Sequence, residues 1–421
     1  MKDATIALHY GYDKDTQKSM HVPIYMTTAY EYENVEHAAN LFALEEEGNI
    51  YTRIGNPTTR VFEKRIAALE RGIDALATAS GMAAIFYSIS NLTTSGDNIL
   101  ISKKLYGGSI TLSTQTLKQF NITAKYFDPQ NPKELEALID DKTKLILFES
   151  IANPALTVAD FDGIVEIANK YNIVSVCDNT MASPYGVKPI DLGVDVVVHS
   201  ASKYIVGNGS AIAGCIIEAK HLKEKLKTNR YKQFNTPDES YHGLVYTQKF
   251  DNPFIARARL ALLRDYGAVI SPFNSWLLIN GLETLHLRIK AHSDNALAIA
   301  KFLKERNEVK KVNYPLLPGD ENYNLAKKYL KYAGAIISFE LDSFEKAKEF
   351  VSNLKIFSLV TNIADSKSLV THPASTTHQQ LSKDELIQAG VPEGLIRISV
   401  GIEDVEDLIE DLREAFEKIS K

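Results

Sequence analysis

The chain has 421 residues, 45% of them hydrophobic and 24% charged, with a formal net charge of −6. That size supports two or three domains around a large core, and the evenly mixed charge offers no basic face for nucleic acid or a membrane surface. No run of roughly 18 apolar residues suggests a membrane span, and the opening MKDATIALHYGYDKD has no apolar stretch of signal-peptide length.

Residues 1–60 are aromatic and polar, punctuated by Pro23, Gly48, Gly55 and Pro57, and read as an arm rather than a domain. TTRVFEKRIAALE then has helical spacing through Val61, Ile66 and Leu69, with a threonine as start signal. Short apolar runs follow: ALATAS, NILIS, TAKYF, KLILFES, IVSVCD, DVVVHS and AGCIIEA. Between the earlier ones lie the helical stretches GMAAIFYSISNL, SITLSTQTLKQF, PKELEALID and DFDGIVEIANKY. Apolar strands alternating with helices predict an α/β fold, a mostly parallel sheet covered on both faces. Residues 220–258 are polar and aromatic and read as a long, partly helical insertion. A smaller α+β domain closes the chain, with GAIISFELD, FEKAKEFVSNL, LIRISVGIE and VEDLIEDLREAFEKI as its elements. The expected organisation is an arm (1–60), a larger domain (61–283) and a C-terminal domain (284–421). The two cysteines, Cys177 and Cys215, sit inside strand-like runs and read as buried free thiols, which suits the cytoplasm.

In a parallel sheet, ligands bind beyond the carboxyl ends of the strands, so the residues that follow each strand matter most. Ser80-Gly81-Met82 lies between a strand and a helix, where free N–H groups favour phosphate; the alternative is a plain helix cap. Asn153 precedes Pro154 and could aim its amide at a ligand or merely make a turn. Asp178 ends an apolar run, where a carboxylate is costly without a partner. Ser200, Ser202 and Lys203 follow the next strand, and a lysine held against apolar walls can act as a nucleophile. One ligand uses a phosphate cradle, an amide, a carboxylate and an amine together: pyridoxal 5′-phosphate (PLP), with the carboxylate on the ring nitrogen and the lysine on the aldehyde. Arg397, inside the apolar run LIRISVGIE, could clamp a substrate carboxylate or sit as a charge on an edge strand.

Other signals are weaker. GNGSAIAG (207–214) contains a Gly-x-Gly, but Ile212 stands where a dinucleotide motif needs its third glycine. His372 and His378 have no cysteine or acidic partner nearby and make a poor metal motif, so no metal is expected. A binding scaffold without catalysis is the remaining alternative.

The motifs YTRIGNPT (51–58), SGMAAI (80–85), KKLYGGS (103–109), ESIANP (149–154), DNT (178–180), HSASKY (199–204), SLVTHPAST (368–376) and RISVGIE (397–403) resemble the Cys/Met-metabolism branch of the fold-type-I PLP enzymes along essentially the whole chain. Within that branch, FNTPDESYHGLVY (234–246), SPFNSWLLINGLETLHLR (271–288) and NIADSKSLVTHPASTTHQQL (362–381) resemble the O-acetylhomoserine sulfhydrylase subgroup. The resemblance implies that Lys203 holds PLP and shuttles protons, that Asp178 pairs with the ring nitrogen, that Tyr106 stacks on the ring and that Asn153 bonds its hydroxyl. It gives the phosphate to Gly81, Met82, Ser200 and Ser202, and to Tyr51 and Arg53 from a neighbouring subunit, hence at least a dimer and commonly a tetramer. It gives the substrate carboxylate to Arg397, helped by backbone at Asn362 and Ile363, and Tyr106 a share in proton transfer.

The implied reaction is γ-replacement, O-acetyl-L-homoserine plus sulfide giving L-homocysteine and acetate, a step of methionine biosynthesis. Cystathionine γ-synthase and γ-lyase activities are the alternatives. Three positions depart from the family pattern: Ser202 where threonine is common, Ile151-Ala152 where proline is frequent, and Gly108 where methionine γ-lyases carry cysteine.

Overall fold

In the computed structural model of the chain, residues 1–376 and 392–419 are described. The larger sheet has seven strands: β1 (Asp74–Thr78), β2 (Asn98–Ser102), β3 (Thr123–Phe127), β4 (Thr143–Glu149), β5 (Val174–Asp178), β6 (Val196–Ser200) and β7 (Gly214–Glu218). Their order is β1-β7-β6-β5-β4-β2-β3. The pairs among β2 to β6 are parallel, and β7 runs antiparallel to both β1 and β6. Successive side chains of a strand point to opposite faces, and here they feed two separate cores. Phe148, Cys177, Val197 and Ile217 enter one, while Leu147, Val176, Val198 and Ile216 enter the other. Both faces are therefore dry, which is why these strands read as continuous apolar runs rather than alternating ones. Cys177 and Cys215 are buried and unpaired by disulfide.

The expected helices form, with one correction at a start. The Pro57–Glu70 helix is capped by Asn56, whose side chain accepts from the Thr58 and Thr59 N–H groups, with Pro57 in the first turn. Proline costs nothing there, because that N–H has no intrahelical partner. The threonines are thus first-turn residues, not the start signal. The first residues are also more ordered than an irregular arm. Asp3–His9 is a helix, and the buried Arg65 donates to the Tyr10 and Leu8 carbonyls (2.9 and 3.2 Å), docking its C-terminal end. A second helix spans Val35–Phe42. The 220–258 insertion is partly helical, with short helices at Leu222–Leu226, Tyr246–Lys249 and Pro253–Arg257.

A continuous helix, Pro272–Lys304, leads into the C-terminal part, so the expected boundary at 283/284 falls inside a rigid element. Beyond it a second sheet holds β8 (Lys311–Asn313), β9 (Ile336–Glu340), β10 (Ser358–Leu359), β11 (Leu369–Thr371) and β12 (Leu395–Ser399), ordered β10-β11-β12-β9-β8. Helices Phe344–Asn353 and Val405–Ile419 belong to this part. β12 lies between β11 and β9, so Arg397 is not on an edge strand. No helix of the described residues is long and apolar enough to cross a membrane.

The Pro272–Lys304 helix also fixes the turn after β6. A Cβ at Gly281 would overlap the Ile205 carbonyl oxygen, so helix and turn touch backbone to backbone. From the same helix the buried Arg288 donates to the carbonyls of Tyr204 (2.6 Å), Ile205 (3.3 Å) and Gly281 (2.6 Å). Gly281→Ala should cost roughly 1–3 kcal/mol through overpacking, read as a lower midpoint in urea unfolding; an unchanged midpoint would contradict this contact.

Candidate active site

A cavity of about 530 Å³ opens at the carboxyl ends of β1, β4, β5 and β6. It is lined by Gly81, Met82, Tyr106, Asn153, Asp178, Ser200, Ser202, Lys203, Ile363 and Arg397, ten of the residues singled out from the sequence. Each reaches the cavity for a local reason.

Ser80 caps the Gly81–Leu92 helix, its side chain accepting from the Ala83 N–H. The Gly81 and Met82 N–H groups have no acceptor among the described residues, and they stand at a helix N-terminus, which attracts anions. Two glycines make the close packing there possible. A Cβ at Gly81 would sit 2.7 Å from Ser200 Cβ, and one at Gly214 would overlap the Ser80 carbonyl. Thus Gly214, the last residue of GNGSAIAG, serves packing of this turn rather than a dinucleotide motif. Ser200 follows with its N–H donating to Thr180 Oγ1 (2.8 Å). The Ser202 hydroxyl is engaged by Ala213 in both directions, donating to its carbonyl (3.1 Å) and accepting from its N–H (2.9 Å), so a phosphate there competes with that pair.

Asp178 ends β5, and its Oδ1 accepts from the Thr180 N–H (2.9 Å) and hydroxyl (2.5 Å). Its cross-strand partner on β4 is Glu149. Burial raises the pKa of both carboxyls, and the Asp178 charge adds to the rise at Glu149; the Thr180 hydrogen bonds and nearby His199 oppose it at Asp178. A half-buried carboxylate held in this way is suited to a cationic ring nitrogen, which would offset its desolvation.

Lys203 lies in the turn after β6 and donates from Nζ to Asn362 Oδ1 at 2.5 Å. Burial, and then the Arg397 charge, lower its pKa, which favours the neutral, nucleophilic amine. Arg397 reaches in from β12: Nη1 donates to Asn153 Oδ1 (3.1 Å), and Nη2 lies 3.5 Å from the Asn362 carbonyl and from Thr371 Oγ1. Its neighbours are amide, carbonyl and hydroxyl oxygens, and no carboxylate pairs with it among the described residues. The fork is therefore available to an incoming carboxylate. Asn153, joined to Pro154 by a cis bond, lies between the two halves of the site.

Free helix N–H groups, a half-buried carboxylate and a half-buried amine in one cavity fit the phosphate, ring nitrogen and aldehyde of PLP. Tyr51 and Arg53 do not line this cavity; Arg53 donates to the Arg264 carbonyl and packs over the Tyr51 ring. His372 bonds Ser375 Oγ and the Glu393 carbonyl, while His378 lies outside the described residues. Two contributors escaped the sequence reading. Thr180 could have been found from its place two residues after Asp178, a spacing typical of an Asx turn. The hydrogen bonds of Glu149 could not, since one partner, Tyr106, is 43 residues away.

A family model described as "Cys/Met metabolism PLP-dependent enzyme" matches residues 4–417. An O-acetyl-L-homoserine sulfhydrylase of Leptospira meyeri is 44% identical over 99% of this chain and 97% of its own length. A homocysteine synthase of Schizosaccharomyces pombe is also 44% identical, over 98% of this chain and 97% of its own length. Among solved structures, a chain from Campylobacter jejuni assigned as an O-acetylhomoserine (thiol)-lyase, with N′-pyridoxyl-lysine-5′-monophosphate in place of a lysine, has a TM-score of 0.97 at 48% identity, covering 99% of this chain and 100% of its own. A cystathionine γ-lyase from Lactobacillus plantarum, complexed with L-serine, has a TM-score of 0.85 at 33% identity over the full length of both chains. With a cavity that fits the cofactor and a match over nearly its whole length, the chain belongs to the Cys/Met-metabolism family of PLP-dependent enzymes.

Proposed function

We propose that the chain catalyses γ-replacement, converting O-acetyl-L-homoserine and sulfide to L-homocysteine and acetate. The observation that carries this reading is the shared cavity of Lys203, Asp178 and Arg397, with an amine, a carboxylate and a guanidinium that no carboxylate pairs with among the described residues. The sulfhydrylase and homocysteine synthase relatives support the choice of substrates. Gly108 supports it too. A Cβ there would sit 2.6 Å from Tyr106 Cε1, so a cysteine in its place, as in methionine γ-lyases, would displace the ring.

In this reading PLP, bound through Lys203, supplies an electron sink that stabilises negative charge on the carbon beside the substrate amine. The Gly81 and Met82 N–H groups with Ser200 and Ser202 would hold its phosphate, Asp178 would pair with its ring nitrogen, and Tyr106 would stack on its ring. Asn153 would hydrogen-bond the ring hydroxyl. Arg397 receives the α-carboxylate, beside the backbone of Asn362 and Ile363, and so fixes which C–H bond faces Lys203. The lowered pKa of the lysine suits it to take that proton and return it later in the cycle. Tyr106, which lines the same cavity, shares in proton transfer in this reading. Overall the γ-carbon loses its bond to the acetate oxygen and gains one to sulfur; hydrosulfide keeps its proton as the product thiol, and its negative charge leaves with acetate.

The same reading gives Tyr51 and Arg53 to a neighbouring subunit's phosphate, which agrees with their position outside this chain's own cavity. It implies at least a dimer, with a tetramer as the common form, and residues 1–60 as the exchanging arm. Two buried thiols and the biosynthetic reaction favour the cytoplasm.

The purified enzyme, given O-acetyl, O-succinyl or O-phospho homoserine with sulfide, cysteine or methanethiol, should form homocysteine fastest from the acetyl ester and sulfide, identified by mass. Cystathionine as the main product would overturn the reading in favour of a γ-synthase. Arg397→Ala should raise KM for the ester roughly ten- to a hundredfold, the size of a lost charge-assisted pair, with a smaller effect on kcat. Unchanged kinetics would remove Arg397 from the site. Asp178→Asn should leave the protein folded and lower kcat by at least about a hundredfold, because a neutral amide cannot hold the ring nitrogen protonated; kcat near that of the parent enzyme would contradict its role.

A further inference from the structure

Glu149 is 6% exposed and forms no ion pair among the described residues, and it stands beside Asp178, whose charge raises its pKa further. Burying a carboxyl beside a second one, with no cation paired to it among the described residues, is expensive, and a simple structural anchor would be better made by a neutral residue. What Glu149 does touch is specific. Its Oε1 accepts from the Tyr106 N–H at 2.6 Å, and its Oε2 from the Asn153 N–H at 3.0 Å. These backbone groups come from two connections, one after β2 and one after β4.

We propose that Glu149 is a positioning residue that aims Tyr106 and Asn153 together at the bound cofactor and substrate; this rests on the reading of the cavity given above. Tyr106 is 51% exposed, so packing alone does not hold its ring. It begins the Gly107–Thr111 helix without a side-chain cap, and its N–H is tied down by Glu149. Asn153 is tied at the same carboxylate while its Oδ1 accepts from Arg397 Nη1. One side chain thereby sets both the ring over the cofactor and the orientation of the carboxylate-binding arginine. A carboxylate can accept at both oxygens at once; a glutamine in its place would point an N–H₂ at one of the two donors.

The test uses the holoenzyme with Glu149→Gln and Glu149→Ala, alone and combined with Tyr106→Ala. Both single variants should keep the lysine-bound cofactor absorbance and lose about tenfold or more in kcat/KM for the ester, because small misplacements of aligned groups are costly. Glu149→Gln should do so with a melting temperature close to that of the parent, and the circular dichroism of the cofactor band should weaken. Because part of the effect of Glu149 runs through Tyr106 and part through Asn153, the Gln substitution should cost clearly less in the Tyr106→Ala background than in the parent. Parent-like kinetics, a loss that only follows the unfolded fraction, or costs that multiply in the double variant would each overturn the role of Glu149 while leaving the cofactor absorbance intact. A parent enzyme that takes up no cofactor would instead overturn the reading of the cavity, and this proposal with it.

Discussion

Glu149 and Asp178 face each other across β4 and β5, and Asp178 pairs in turn with Val198 of β6, two residues before Ser200. Parallel strands share a direction, so the residues that follow each one emerge at a common edge. This register is the constraint on which the site depends. It brings an amide, a carboxylate, a hydroxyl pair and an amine, spread over some fifty residues of sequence, to one cavity wall. β1 joins the same edge although β7 separates it from β6, because two antiparallel pairings in succession restore the original direction.

The opposite wall comes from the second sheet. Arg397 lies on β12, an interior strand, and its neighbours are oxygen acceptors without full charge. Burial then depresses its pKa, and the guanidinium in turn depresses that of Lys203. A guanidinium and an amine facing one cavity are costly to keep charged together, and the α-carboxylate of a substrate reduces that cost when it binds. Asn362 connects them, its amide oxygen on the Lys203 amine and its carbonyl near Arg397. The sequence reading assigned only its backbone, since nothing in NIADS indicates where the amide points.

Much of the larger domain could be read in advance, because β-branched strands buried on both faces leave unbroken apolar runs such as VVVHS and IVSVCD. The residues just beyond those runs were legible for the same reason: a polar cluster ending a buried strand has few structural uses. Short or locally encoded features were less visible. The Asp3–His9 helix is too brief to show a period, and its docking depends on Arg65, far along the chain. The start of the Pro57–Glu70 helix was displaced because Asn56-Pro57 and the following threonines are all plausible first-turn residues. Whether Arg397 sat on an edge or interior strand is a question of sheet order, which the sequence of elements does not contain. The partners of Glu149 lie on two loops, and only the folded register joins them.

The central claim is that these strand-end residues converge on one PLP attached at Lys203. The most direct measurement is reduction of the purified enzyme with borohydride, followed by proteolysis and mass mapping of the pyridoxyl group. The account predicts a single modified peptide, HSASKY, carrying the group on Lys203. Modification at another lysine, or none in protein supplied with PLP, would contradict it.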